Sequence, residues 1–482
     1  MHTLDLVVLV VYFLGVLGIG AAFARKQGGA ADYFLGQRDL PWWAVMFSIV
    51  ATETSAITVI SIPGLGARTN MAFLQLPLGY VIGRIAVAAW LLPGYFTGHQ
   101  ETAYARLETR FGKHTRRVAS GIFLVVRSLA DSVRVFATAI PLAVFVGWSL
   151  PTSVIVIGII TVVYAWAGGL KAVVWLDVLQ LFVYLLGGIA VFSIATSMAG
   201  GLGPMLDTAG NAGRLKIFDF STSFQITYTF WGGLIGGAML SAASHGTDHL
   251  IVQRLLATKG LADARRALVV SGIFVFFQFA LFLMIGVSIW AAQSDMTQLP
   301  SDQIFPRFVV DHLPAGMSGL VIAGVLSAAM GTHSSALNSL ASAVTHDFYA
   351  PITGKRDEQH LLKVGRWVTL IWAVLLAFLS LTFRQGQPVV ELALSIASIT
   401  YGGMLGTYIL SGLDRIRGRD AIAALLVTTT IMIVVVVKKP GPFSHLAFPW
   451  YVPMGTAIAL ATGYLSSFFG GPTPARTHGA ST

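Results

Sequence analysis

Ten ionisable residues fall inside stretches that are otherwise apolar: Glu53, Arg84, Arg127, Asp131, Arg134, Asp177, His245, Asp248, His333 and Glu391. Within a bilayer such groups are costly and mark either packing ion pairs or functional sites. Arg127 and Asp131, four residues apart, share one helical face, so with Arg134 they suit structural pairing as well as function. Asp248 and Glu391 lie near segment ends, where solvation is easier. Two further stretches are rich in oxygen. Thr52-Glu53-Thr54-Ser55 and Thr58 put five oxygen-bearing side chains into one apolar span, with Pro63-Gly64-Leu65-Gly66 behind them. Ser327 to Ser335 does the same in a second span and continues into Asn338, Ser339 and Ser342. Both stretches are expected to be locally unwound. Hydroxyls and freed carbonyls are the hard oxygen ligands that a dehydrated sodium ion requires, and unwound backbone at membrane depth is tolerated only around a site or cavity. Small and hydroxyl residues also serve as helix–helix glue. Two such stretches together with a buried carboxylate favour an ion site.

The elements that carry these residues must be membrane helices. Only 11% of the 482 residues are charged and the mean hydropathy is +0.75, against about 25% charged in soluble domains. With a ruler of about 20 apolar residues, about thirteen spans are expected: Thr3–Arg25, Pro41–Thr69, Met71–Thr97, Thr115–Val146, Pro151–Trp166, Ala172–Met198, Phe224–Ala257, Ala264–Ala292, Leu313–Thr345, Leu362–Thr382, Pro388–Leu413, Ala421–Val437 and Pro449–Ser467. The first span lacks a basic leader, so it reads as a retained helix and not a cleaved signal. The net charge of +10 does not point to nucleic acid, because the basic residues cluster at helix ends. Placing the N-terminus outside puts Arg25, Lys26 and Arg38, the group Arg106–Arg117, Lys171, the groups Arg254–Arg266, Lys355–Arg366 and Arg415–Arg419, and Arg476 inside. Arg68, Arg214, Lys216, Arg307, Arg384, Lys438 and Lys439 are then outside, a bias of roughly three to one that the positive-inside rule requires. The C-terminus is therefore expected in the cytoplasm. Cysteine is absent, which excludes disulfides, thiolate metal sites and cysteine nucleophiles.

The order of the motifs adds a resemblance. Asp32-Tyr33-Phe34-Leu35-Gly36, Leu40-Pro41-Trp42-Trp43-Ala44-Val45, the run from Gly168 to Gln180, Gly246 with Ile251-Val252-Gln253-Arg254, and Leu337-Asn338-Ser339 followed by Thr345-His346-Asp347-Phe348-Tyr349 are similar to the sodium:solute symporter family. That family includes bacterial sugar, proline and sialic-acid symporters and animal sodium/glucose and iodide relatives. The resemblance implies an all-α integral membrane protein with a LeuT-type core of two inverted five-helix repeats, one helix before it and two after. The repeats are expected at about 41–198 and 224–413, within a single transmembrane domain over 1–469 and ahead of a flexible cytoplasmic tail at 470–482. It implies sodium-coupled uptake of a small polar solute by alternating access at a cell membrane, with no enzymatic activity and no obligatory protein partner.

The same resemblance places the ions. In one sodium site Ala51 and Thr54 offer carbonyls, Ala328 a carbonyl and Thr332 its hydroxyl; Gly331 stands where relatives have a serine, which removes one ligand. In a second site Asp177 supplies a carboxylate, Ser334 and Ser335 hydroxyls, and Ser55 and Thr58 complete the cage. Glu53 is expected to support coupling or substrate contact. Ser241 and Ser244 replace the amide and aromatic gate of sugar-transporting relatives, Pro77 lies near the position of their sugar-binding carboxylate, and Tyr401 is a further substrate candidate. An arginine facing the cavity would bind a carboxylate in bidentate fashion, so Arg84, Arg127 and Arg134 favour an organic anion or acidic sugar over a neutral hexose. Proton coupling through Glu53 or His333 is the main alternative. A channel, a transporter-like sensor, or a metal site at His245, Asp248 and His249 fits the sequence less well.

Overall fold

A computed structural model describes residues 2–24, 28–98, 100–383 and 389–469. Arg25, Lys26, Arg384 and the expected tail at 470–482 lie outside the described residues, as does the side chain of Glu391. The helices run α1 (Thr3–Ala24), α2 (Ala30–Leu35), α3 (Trp42–Glu53), α4 (Ala56–Arg68), α5 (Gln75–Ala86), α6 (Ala105–Phe111), α7 (Lys113–Val146), α8 (Leu150–Met198), α9 (Leu202–Asn211) and α10 (Gly237–Gly246). They continue as α11 (His249–Leu256), α12 (Leu261–Ala292), α13 (Ser301–His312), α14 (Met317–Ala343), α15 (Ala350–Thr353), α16 (Glu358–Ser380), α17 (Val389–Leu410), α18 (Gly418–Ile433) and α19 (Tyr451–Ser466). Among the described residues there is no strand, only an isolated bridge between Leu40 and Thr258. Among the described residues, eight helices are long and apolar enough to cross a membrane, or nine when α3 and α4 count as one bent span.

Burial sorts these helices into an inner and an outer layer. On α14, every residue from Val321 to Ala343 is buried, whereas α1 and α16 turn Leu4, Val11, Leu14, Trp367, Val374 and Phe378 outward. Exposed apolar rows of this kind on membrane-length helices suit a lipid surrounding. The central helix is therefore the one whose sequence carries serines, a threonine, a histidine and an asparagine.

The first oxygen-rich stretch breaks its helix as expected. Thr54 and Ser55 take extended conformations, and α4 leaves α3 at 66°. Past the break, α4 lies directly on α12: a side-chain carbon on Gly286 would sit 1.9 Å from the Pro63 carbonyl oxygen, so the two backbones touch.

The second stretch does not break. α14 is continuous through Ser327–Ser335, contrary to expectation, because its hydroxyls bond back to their own helix. Ser327 donates to Ala323 O at 2.7 Å, Thr332 to Ala328 O at 3.1 Å, and Ser334 and Ser335 both to Gly331 O at 3.0 and 2.6 Å. Satisfied in this way, hydroxyl residues are compatible with a helix interior. The other interruption lies between α10 and α11, where Thr247 leaves the helix and Asp248 caps the next one by accepting from Leu250 N at 2.9 Å. The expected spans Pro151–Trp166 and Ala172–Met198 both lie in α8, which is kinked at Gly169 (φ 58°, ψ −158°). A side-chain carbon there would also meet Tyr33 O at 2.6 Å, so only glycine fits this joint.

Candidate functional site

The two interruptions face a common cavity of about 120 Å³. The end of α3 contributes Thr52 and Glu53, and the start of α4 contributes Ser55 and Thr58. From α10 come Ser241, Ser244 and His245, from α7 Arg127 and Arg134, and from α17 Tyr401. Helix ends give this space its polarity. The carbonyls of Ala51, Thr52 and Glu53 terminate α3 outside its hydrogen-bond ladder and favour cations, whereas the free amides at the start of α4 favour anions.

Charge in the wall is closely paired. Arg127 holds Asp131 through Nε at 2.5 Å and Nη2 at 3.0 Å and reaches Asp248 Oδ2 at 3.2 Å. Tyr401 donates to the same Asp248 oxygen at 2.8 Å. Arg134 makes a single contact with Asp131, at 3.2 Å, and its side chain is 19% exposed. Arg84 was expected to face the solute, but it is fully buried behind the wall. Its guanidinium meets the Glu53 carboxylate and donates to Ser271 Oγ at 2.6 Å and Ser241 Oγ at 3.4 Å. The reason is its register on α5, which points it at α10 and α12. Ser244 Oγ pairs with His245 Nδ1 at 2.8 Å, and His245 Nε2 lies 3.7 Å from Glu53.

Beneath the cavity, α14 meets the end of α3. Thr332 Oγ1 lies 3.4 Å from Thr52 O as well as 3.1 Å from Ala328 O, and Ala51 is buried beside them. Thr54 is held from the other side, where Gln278 Nε2 donates to its hydroxyl at 2.5 Å and Tyr184 orients that amide at 3.0 Å. The expected residues Ala51, Thr54, Ala328 and Thr332 thus converge on the break.

Asp177 sits one layer further in, completely buried. Its Oδ2 accepts from Ser48 at 2.6 Å, from Thr52 at 3.4 Å and from Arg254 at 3.2 Å; Oδ1 has no partner among the described residues. Ser335 joins this group through Arg254 and through Thr52 at 3.3 Å, and Ser334 is the next residue on α14. Ser55 and Thr58 are not part of it. They bond each other at 3.4 Å on the cavity wall, because the 66° bend turns the start of α4 away from α8. Ser48 and Thr52, one helical turn apart, take those places. Arg254 corrects a second reading: it is no topology signal at a loop but a buried cation whose Nε also donates to Ser48 at 2.8 Å. His333 is buried on α14 with Nδ1 unpaired among the described residues. His249 takes Ala103 N at 3.3 Å and pairs with Ser342 at 3.0 Å.

The model of the sodium:solute symporter family matches residues 33–428. The chain belongs to the sodium:solute symporter family. It is 29% identical over 436 residues to sodium-coupled monocarboxylate transporter 2 of Bos taurus, covering 88% of this chain and 70% of that one. To the sodium/sialic acid symporter NanT of Aliivibrio fischeri it is 27% identical, covering 96% and 93%. In fold it matches the substrate-bound outward-open state of a Na+-coupled sialic acid symporter with a TM-score of 0.87 at 24% identity, over 98% of this chain and 99% of that one. Sodium is therefore the coupling ion of this symporter family member.

Two further features of the site have local sequence signals. Gly246-Thr247-Asp248 is a helix stop followed by a capping residue. Ser48 lies four residues before Thr52, so both occupy one face of α3.

Proposed function

We propose that this protein imports a small organic anion together with sodium by alternating access. One observation carries the choice of an anion: Arg134 stands on the cavity wall with one 3.2 Å contact to a carboxylate that Arg127 already holds by two bonds. A guanidinium has five N–H donors, so most of Arg134 is available to a carboxylate, and the N-terminal end of α4 lines the same space through Ser55, Ile57 and Thr58. The names of relatives fit this chemistry, since a monocarboxylate and a sialic acid are both anions.

On this reading the chain crosses the membrane thirteen times, N-terminus outside, and residues 41–198 and 224–413 are the two inverted repeats. One ion sits at the α3 break against Ala51, Thr52, Thr54, Ala328 and Thr332. A second sits at Asp177, with Ser334 and Ser335. Two sodium ions and one monoanion would carry one net positive charge inward, which a membrane potential drives by about 2.3 kcal/mol per 100 mV.

Arg134→Ala is expected to weaken binding of a carboxylate about tenfold or more, the scale of one charge-assisted hydrogen bond, with Arg134→Lys in between. The check is a thermal-shift titration of the purified protein in sodium chloride with monocarboxylates, sialic acid and neutral hexoses. Stabilisation by hexoses and not by carboxylates would contradict the anion assignment.

A further inference from the structure

Two buried oxygens of α8 point at the same bare surface. Asp177 Oδ1 has no hydrogen-bond partner among the described residues, and neither has Gln180 Oε1, although Gln180 is completely buried. The two residues are three apart, which puts them on one face of the helix. The Gln180 amide nitrogen reaches Tyr12 Oη at 3.4 Å, which turns the oxygen the other way, toward α14. There a side-chain carbon on Gly331 would lie 2.8 Å from Gln180 Oε1 and 3.1 Å from Asp177 Oδ1. Both oxygens therefore converge on the patch of α14 that glycine leaves uncovered.

Two buried acceptors cannot satisfy each other. A carboxylate and an amide oxygen only accept, and each costs free energy unless a donor or a cation lies between them. The nearest fixed cation, Arg254, is on the opposite carboxylate oxygen, Oδ2. The neighbouring Ser334 hydroxyl is arranged for the same occupant. Ser334 spends its proton on Gly331 O at 3.0 Å, which leaves lone pairs as what it can offer a cation; Ser335 donates to the same carbonyl at 2.6 Å and accepts from Arg254.

We infer that Gln180 is a sodium ligand, its amide oxygen and Asp177 Oδ1 holding the ion against the face of α14 that Gly331 keeps clear. This rests on the sodium-coupled reading above and changes the meaning of Gly331. The missing side chain is clearance for the ion and for Gln180, and the carboxylate is divided, one oxygen for Arg254 and one for sodium. Tyr12 ties the same amide to α1, so the ion is coupled to a helix outside the α3 break.

The test uses the full-length purified protein, with melting followed as sodium chloride replaces choline chloride at constant ionic strength. Gln180→Ala is expected to raise the half-stabilising sodium concentration about tenfold, the loss of one oxygen ligand to a cation, with little change in choline. Gly331→Ala, whose methyl group intrudes on both oxygens, is expected to do the same and carries the test if Gln180→Ala does not fold. Adding Gly331→Ser to Gln180→Ala puts a hydroxyl into the vacated space and is expected to restore most of the sodium response. Asp177→Asn separates the two claims. If Asp177→Asn loses the response while Gln180→Ala and Gly331→Ala keep the wild-type midpoint, Gln180 is not a ligand and the inference is overturned. If Asp177→Asn itself keeps the response, the ion site at Asp177 is wrong. A melting point lowered equally in sodium and choline by Gln180→Ala, with the midpoint unchanged, also overturns it, because that is the behaviour of a packing amide.

Discussion

Asp177→Asn is expected to remove most of the sodium-dependent stabilisation and to lower stability by about 3–5 kcal/mol, the scale for breaking a buried ion pair from one side. The change is isosteric, so no cavity forms. What it does is strand Arg254, which is fully buried and spends its donors on Asp177, Ser48, Ser335 and Leu250 O. No other carboxylate is bonded to that guanidinium among the described residues. A companion variant separates the two consequences. Asp177→Asn with Arg254→Met removes both charges and is expected to recover much of the stability, as apolar replacement of buried pairs does, yet not the sodium response. Melting curves in sodium and in choline read both effects. A double variant that regained its sodium response would remove Asp177 from the ion path.

Arg84→Gln is expected to cut affinity for an anionic solute at least tenfold and to cost about 2–3 kcal/mol of stability, the range for losing a hydrogen bond to a charged group. Arg84 never touches the cavity; its effect runs through Glu53, whose side chain is 19% exposed there. With Arg84 present the Glu53 charge is neutralised from behind. Without it, a bare carboxylate faces the space that the solute carboxylate must enter, and like charges in a water-poor site repel strongly. Glu53→Gln added to Arg84→Gln is therefore expected to restore binding, a coupling that a double-mutant cycle measures directly. Unchanged anion affinity in Arg84→Gln alone would mean that the solute binds away from Glu53.

Membrane class and the α3 break were legible because each depends on local composition. The oxygen-bearing run at Thr52–Thr58 has extended residues at its centre and lies before Pro63, and it bends where its pattern says. The run on α14 has the same composition and stays helical, since Ser327, Thr332, Ser334 and Ser335 find carbonyls one turn back. Composition does not distinguish a hydroxyl that opens a helix from one that closes back on it. Long-range pairing was the least accessible part. Arg254 looks like a loop cation beside Lys259 and Arg265, and only tertiary packing carries it to Asp177, 77 positions away in the chain. Likewise, the family resemblance puts Ser55 and Thr58 beside Asp177, and the bend after α3 carries them to the cavity wall instead. Gly331, read in the sequence as a missing ligand, becomes the surface on which two unpaired oxygens converge.

The most direct test of sodium-coupled anion uptake is transport by the purified protein in proteoliposomes, with a radiolabelled monocarboxylate or sialic acid chosen from the thermal-shift titration. An inward sodium gradient should drive accumulation above the external concentration, potassium or choline gradients should not, and a proton gradient alone should add nothing. Accumulation driven equally well by the proton gradient without sodium would contradict sodium coupling.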